Sequence, residues 1–122
     1  MHLSPKTYRI AFWSALVVLF VASSIPDVPV NTSLRSGGGD IRLDYLFHFL
    51  AYVTIGFLYL HAYQPTLTGI FLIIGYAVVE EIHQYWIPGR TLNPVDLGFD
   101  LAGLGIIILI WFLGRRRTRN RQ

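Results

Sequence analysis

Charge is missing from three long stretches of this 122-residue chain. Residues 10–26, 45–79 and 101–114 contain no Asp, Glu, Lys or Arg. The middle stretch runs 35 residues, from 45 through 79. As a single helix it would reach about 52 Å, against a hydrocarbon core of about 30 Å. It carries its own break at Gln64-Pro65-Thr66. Pro65 lacks a backbone donor and disfavours helix at the residue before it. The stretch therefore reads as two spans joined by a tight hairpin. Four helices are expected near residues 8–25, 43–63, 66–87 and 95–114, each about as long as a bilayer requires.

The purely apolar parts of the third and fourth spans, 65–79 and 101–114, are short enough for buried helices of a soluble protein. Composition decides between the two. Hydrophobic residues make up 53% of the chain and charged residues 14%. A soluble domain of this size has too little interior to hide so much apolar surface. The expected fold class is all-α: a polytopic membrane protein built as a four-transmembrane-helix bundle. The same composition excludes a disordered chain. The absence of Cys excludes disulfides, thiolate metal sites and thiol nucleophiles.

Basic residues set the expected orientation. Lys6 and Arg9 precede the first span, and Arg115, Arg116, Arg117, Arg119 and Arg121 follow the last. Four spans put both termini on one side, which then carries seven of the ten basic residues. The positive-inside rule makes that side, and both termini, cytoplasmic. The expected organisation is a first transmembrane helix in 1–25, an outer loop in 26–42, a three-helix core in 43–114 and a basic cytoplasmic tail in 115–122. Lys6, Arg9, the apolar run 10–22 and Ser23-Ser24 also fit a cleavable signal peptide. A retained span is the preferred reading. The Arg-rich tail suits anionic headgroups, and above all a stop-transfer anchor; eight residues beside a membrane argue against nucleic-acid binding.

All seven acids, Asp27, Asp40, Asp44, Glu80, Glu81, Asp96 and Asp100, then fall in the outer half or the outer loops. Helical spacing aligns them. Asp44, His48 and Tyr52 share one face. Tyr76, Glu80, His83 and Gln84 share another, and Asp96, Asp100 and Gly103 a third. An ionisable group facing lipid costs about 2.5–3.5 kcal/mol near the bilayer centre. These side chains are therefore expected to point inward, at one another or at a wet cleft open to the outside. Glu80 and Glu81 are adjacent, about 100° apart, so one should face the cluster and the other a neighbouring helix or an Arg. The loop 31–39, with Gly37-Gly38-Gly39, is the flexible element placed to cover the cleft. Pro88-Gly89 marks a turn that sets Arg90 at the mouth of the cluster. Its guanidinium can bridge Asp96 and a Glu, or grip a phosphate or carboxylate.

These residues resemble the VanZ-like family of small bacterial membrane proteins, named for a teicoplanin-resistance protein. In that family an Asp-Lys-x-x-His-Phe-x-x-Tyr stretch opens one helix. Here it reads Asp44-Tyr45-Leu46-Phe47-His48-Phe49-Leu50-Ala51-Tyr52. An acidic-Glu-x-x-Gln stretch followed by Pro-x-Arg appears as Glu80-Glu81-Ile82-His83-Gln84 and Pro88-Gly89-Arg90. An Asp-x-x-x-Asn/Asp-x-x-Gly element appears as Asp96 through Asp100 to Gly103. The three motifs in order, over residues 40–114, are more specific than any one of them. Two positions depart from the pattern: Tyr45 stands where the family has Lys, and Glu80 where Asp is common. The resemblance implies a bacterial plasma-membrane protein connected with reduced susceptibility to glycopeptides of the teicoplanin type.

The candidate ligand-binding set is thus Asp44, His48, Tyr52, Glu80, Glu81, His83, Gln84, Arg90, Asp96 and Asp100. The favoured function is binding or modification of lipid-linked envelope components or lipoglycopeptides. The alternatives are an enzyme acting on a lipid headgroup, a proton-coupled transporter subunit and a purely structural network. No Gly-x-Ser-x-Gly elbow supports the enzyme, and four helices are few for alternating access. His48, Glu81, Asp96 and Asp100 have the donor chemistry for a divalent cation. No His-Glu-x-x-His signature is present, so neither metal nor cofactor is assigned. Membrane lipids are the expected partners, cell-wall precursors or lipoglycopeptides the expected ligands, and an oligomer is allowed.

Overall fold

The computed structural model describes residues 3–26, 33–34 and 41–119. Four helices dominate: α1 Pro5–Ser23, α2 Leu43–Ala62, α3 Leu67–Gln84 and α4 Pro94–Arg119. Local chemistry explains their starts. Ser4 caps α1 by accepting from Thr7 N at 3.2 Å, with Pro5 in the first turn. Thr66 caps α3 in the same way through Gly69 N at 3.1 Å, directly after the Pro65 break. Asn93 Oδ1 accepts from Val95 N at 3.0 Å at the start of α4, where Pro94 follows. Asp44 and Asp96 sit in the first turns of α2 and α4, where the helix dipole favours acids.

The ends depart modestly from the sequence reading. α3 stops at Gln84, because the turn through Pro88 and Gly89 begins there. Arg90 N bonds Ile87 O at 3.1 Å, and Gly89 takes φ 80°, a left-handed value that suits glycine. α4 runs on to Arg119, since no helix breaker follows Gly114 and Arg is a good helix former. Before α2, a two-residue antiparallel ladder pairs Ser33–Leu34 (β1) with Ile41–Arg42 (β2). Gly37-Gly38-Gly39, Asp27 and Asp40 lie outside the described residues.

α1 runs antiparallel to α2, and α2 runs parallel to α4. Arg9 Nε donates to Ala62 O at 3.2 Å and Trp13 Nε1 to Tyr63 Oη at 2.9 Å, joining the start of α1 to the end of α2. α2 and α4 approach closely at glycines. A Cβ on Gly103 would collide with the Phe49 carbonyl oxygen and stand 3.2 Å from Val53 N. Gly56 likewise lies against Leu104 and Ile107. Small residues at such crossings let backbones meet, which is how apolar helices associate in lipid.

The burial pattern is inverted relative to a soluble protein. Phe12, Tyr52, Ile55, Tyr59, Leu60, Ile73, Ala77 and Leu104 form the apolar core. Beside them Glu80, Glu81, Gln84, Asp96 and Asp100 are buried, while Val17, Val18, Phe71, Leu72, Leu109 and Ile110 are exposed. Ionisable groups inside and apolar side chains outside fit a bilayer as solvent. All four helices are long and apolar enough to cross a membrane. The chain is a multi-pass membrane protein.

The hairpin between α2 and α3 yields a direct check. Tyr59 is buried, and its hydroxyl accepts from Thr66 N at 3.2 Å across the turn. Tyr59→Phe is expected to cost about 1 kcal/mol. A fall of a few degrees in the thermal midpoint in detergent micelles would register it; an unchanged midpoint would show that this bond does not hold the hairpin.

Candidate functional site

Helix direction gathers the acids. The C-terminal ends of α1 and α3 and the N-terminal ends of α2 and α4 meet at one end of the bundle. All five described acids, Asp44, Glu80, Glu81, Asp96 and Asp100, lie toward that end. Lys6, Arg9 and Arg115–Arg119 lie toward the other.

Two buried hydrogen bonds organise the polar interior. His48 Nδ1 lies 2.9 Å from Asp100 Oδ1, joining α2 to α4; the two side chains are 11% and 1% exposed. Tyr52 Oη donates to Glu80 Oε2 at 2.9 Å, one helical turn further along α2, and joins it to α3. Glu81 is buried on the α4 side of α3 and accepts from Asn93 N through Oε2 at 3.3 Å. The adjacent acids thus diverge, as their 100° separation requires, yet both are enclosed. Glu80 meets α2. Glu81 meets the start of α4, where His48, Glu81 and Asp100 each bring a ligand atom within 4.8 Å of the others.

Buried polar groups normally find partners. Here Glu80 Oε1, Glu81 Oε1, Asp100 Oδ2 and Gln84 Nε2 have none among the described residues. No Lys or Arg among the described residues pairs with Glu80, Glu81 or Asp100.

Arg90 stands at the mouth of the cluster, with partners other than the acids. It bridges neither Asp96 nor a Glu. Its Nε donates to Ile25 O at 3.1 Å, and its Nη1 reaches Gln84 Oε1 at 3.4 Å. The Gly89 turn swings the side chain back over the end of α1. Five N–H donors belong to a guanidinium, so most of the fork stays available at the cleft.

His83 also departs from expectation. It does not join the cluster. Its ring stacks on Phe20 at 4.5 Å, and its Nε2 lies 2.9 Å from Ser24 Oγ. Tyr76 of the same face donates to Leu16 O at 2.6 Å. That face of α3 is wide enough to serve α1 with His83 and Tyr76, and the bundle interior with Glu80 and Gln84. Tyr45 stacks on Phe99 of α4, ring centroids 5.1 Å apart and nearly parallel. Aromatic packing occupies the position that carries Lys in the resembling family.

Two connected hollows open onto this end. A cleft of about 320 Å³ between α1, α2 and α3 has Leu19, Ala22, Phe47 and Ala51 on its apolar wall. Asp44, His48, Glu80, Gln84, Arg90 and Ser23 make its polar wall. A recess of about 90 Å³ shares Asp44, His48, Gln84 and Arg90 with it and adds Asn93 and Asp96. Of the ten candidate residues, only Tyr52, Glu81, His83 and Asp100 line neither hollow. Tyr52 and Asp100 back Glu80 and His48 from behind.

Asn93 and the serines at the end of α1 were not among the candidates. Asn93 was detectable, because Asn followed by Pro at a helix start is a capping signature. Ser23, Ser24 and the Ile25 carbonyl were not, because their role depends on where α1 ends against α3.

A four-span membrane bundle with an enclosed acid–imidazole network at one end is the class of protein these features define. The family model described as VanZ/LLP1 matches residues 6–115. The chain belongs to the VanZ-like family. No curated protein and no solved structure matches it.

Proposed function

We propose that this protein binds the polar head of an amphiphile at the outer leaflet of a bacterial plasma membrane. The ligand class is a lipid-linked envelope component or a lipoglycopeptide. The observation that carries this reading is the two-sided cleft. Arg90, Gln84, Asp44 and His48 line one wall, and Leu19, Ala22, Phe47 and Ala51 the other. A polar head fits the first wall and an acyl chain the second, with the bilayer supplying the entry route. The basic end, with Lys6, Arg9 and Arg115–Arg117, is assigned to the cytoplasm by the positive-inside rule, which turns the cleft outward. A guanidinium that no carboxylate among the described residues neutralises is suited to a phosphate or carboxylate of the ligand.

Arg90→Ala is expected to lower affinity for an anionic amphiphile at least about tenfold, the worth of one lost charge-assisted contact. Arg90→Lys should fall between, since it keeps charge and loses the fork. Binding of a photoreactive anionic lipid to the purified chain, and growth of a susceptible host under a lipoglycopeptide, read the effect. Full binding and protection by Arg90→Ala at equal membrane abundance would remove the cleft from consideration.

One observation favours modification over simple binding. His48 lines the cleft while Asp100 orients its imidazole from behind at 2.9 Å. An imidazole so held has the geometry of a general base. Turnover of purified lipid precursors by the wild-type chain, lost in His48→Gln, would support that reading; intact precursor after prolonged incubation would leave binding alone.

A further inference from the structure

We propose that His48, Glu81 and Asp100 hold a divalent cation of the Zn²⁺ or Mn²⁺ type at the floor of the polar end. The inference rests on the buried cluster and stands apart from amphiphile binding in the cleft; it replaces the general-base reading of His48, because a nitrogen that holds an ion cannot also take a proton.

Three features point to an ion. The first is geometry. One ligand atom from each residue lies within 4.8 Å of the other two, although the residues come from three different helices. Donors around a tetrahedral ion at 2.0–2.2 Å stand about 3.4 Å apart, so small side-chain adjustments close the set. The second is hydrogen bonding. Glu81 is 4% exposed and Asp100 1%, and each keeps one carboxylate oxygen, Glu81 Oε1 and Asp100 Oδ2, without a hydrogen-bond partner among the described residues. A buried carboxylate oxygen with no donor is costly, and a cation satisfies two at once. The third is charge. Glu80, Glu81 and Asp100 are enclosed together, and among the described residues His48 is the only basic side chain bonded to any of them. A dication offsets the excess that no described Lys or Arg offsets.

The donor chemistry narrows the ion. One imidazole nitrogen with two carboxylates suits Zn²⁺ or Mn²⁺ better than Mg²⁺ or Ca²⁺, which favour all-oxygen shells. The ion would take the place of the proton between His48 Nδ1 and Asp100 Oδ1. Glu81 is already braced, since Asn93 N bonds its Oε2. Such outer contacts fix ligand orientation in metal sites. Three protein ligands leave a coordination position for water or a ligand oxygen, on the side where His48 borders the cleft.

The test uses the full chain in detergent, stripped with a chelator and titrated with ZnCl₂ and with MnCl₂. The expected result is one ion per chain by calorimetry and elemental analysis. Glu81→Gln and Asp100→Asn, both close in shape, should each weaken it at least about tenfold. His61→Ala, at the opposite end of α2, should leave it unchanged. Circular dichroism establishes that each variant is folded, and the Mn²⁺ paramagnetic resonance signal should report nitrogen coordination that His48→Gln removes. Uptake well below one ion per chain, or uptake equal in wild type, Glu81→Gln and Asp100→Asn, overturns the proposal. In that outcome the cluster is held by shared protons.

Discussion

Alanine at position 103 is expected to lower the stability of the bundle by about 1–3 kcal/mol, and a larger side chain by more. The obstacle is backbone, not side chain. A Cβ there meets the Phe49 carbonyl oxygen and approaches Val53 N, and neither can rotate away. α2 and α4 would have to separate. Because His48 and Asp100 bridge the same two helices at 2.9 Å, the separation would also stretch the central polar bond. Gly98 and Gly105, on the same helix, have nothing within 4 Å of an added Cβ. Alanine at either should be neutral or slightly stabilising, since glycine is the poorer helix former. Unfolding in mixed micelles with added SDS separates the three variants. Equal midpoints for Gly103→Ala and Gly105→Ala would show that α2 and α4 do not pack as described.

Removal of one hydroxyl, in Tyr52→Phe, should have the second large effect. Tyr52 is fully buried, Glu80 is 1% exposed, and beside their 2.9 Å bond the other carboxylate oxygen, Oε1, has no partner among the described residues. Without the Tyr52 hydroxyl the carboxyl group stays enclosed and loses its principal donor. The expected loss is about 1–3 kcal/mol, the desolvation cost of a stranded group. Removing both partners should cost less than the sum of the single changes. A double-mutant cycle with Tyr52→Phe and Glu80→Leu should therefore show strong coupling. Additive losses would mean that the two side chains do not share a bond. His48 and Asp100 are a stricter case, because breaking a buried charged pair by removing one partner costs about 3–5 kcal/mol.

Much of this architecture could be read from the chain. The uncharged stretches and Pro65 define the spans, and i, i+4 spacing places Asp44, His48 and Tyr52 on one face of α2. The same rule put Asp96, Asp100 and Gly103 together. The structure buries all three and adds the reason for the glycine, the close approach to Phe49. His83 was not legible in this way. It follows Ile82 and precedes Gln84 on a helix whose successive side chains turn by 100°. Which neighbour stands at which angle depends on the packing of α1, and no spacing rule encodes that. The partners of Arg90 were not legible for a related reason. Its partners are a backbone carbonyl at the end of α1 and a side-chain amide, and a carbonyl leaves no mark in residue identity. Asn93 was visible as a cap, but its backbone bond to Glu81 follows from where the turn delivers α4.

The proposed function requires that water reach the polar pocket walled by these helices from the non-cytoplasmic face. The chain contains no cysteine, so single cysteines can be introduced without background. Ala51→Cys lies in the cleft, Phe71→Cys on the apolar exterior of α3, and Arg117→Cys at the basic end. A membrane-impermeant maleimide applied to intact cells should label Ala51→Cys, leave Phe71→Cys unmodified, and reach Arg117→Cys only after permeabilisation. Labelling of Arg117→Cys in intact cells, with Ala51→Cys silent until the membrane is opened, would contradict the account.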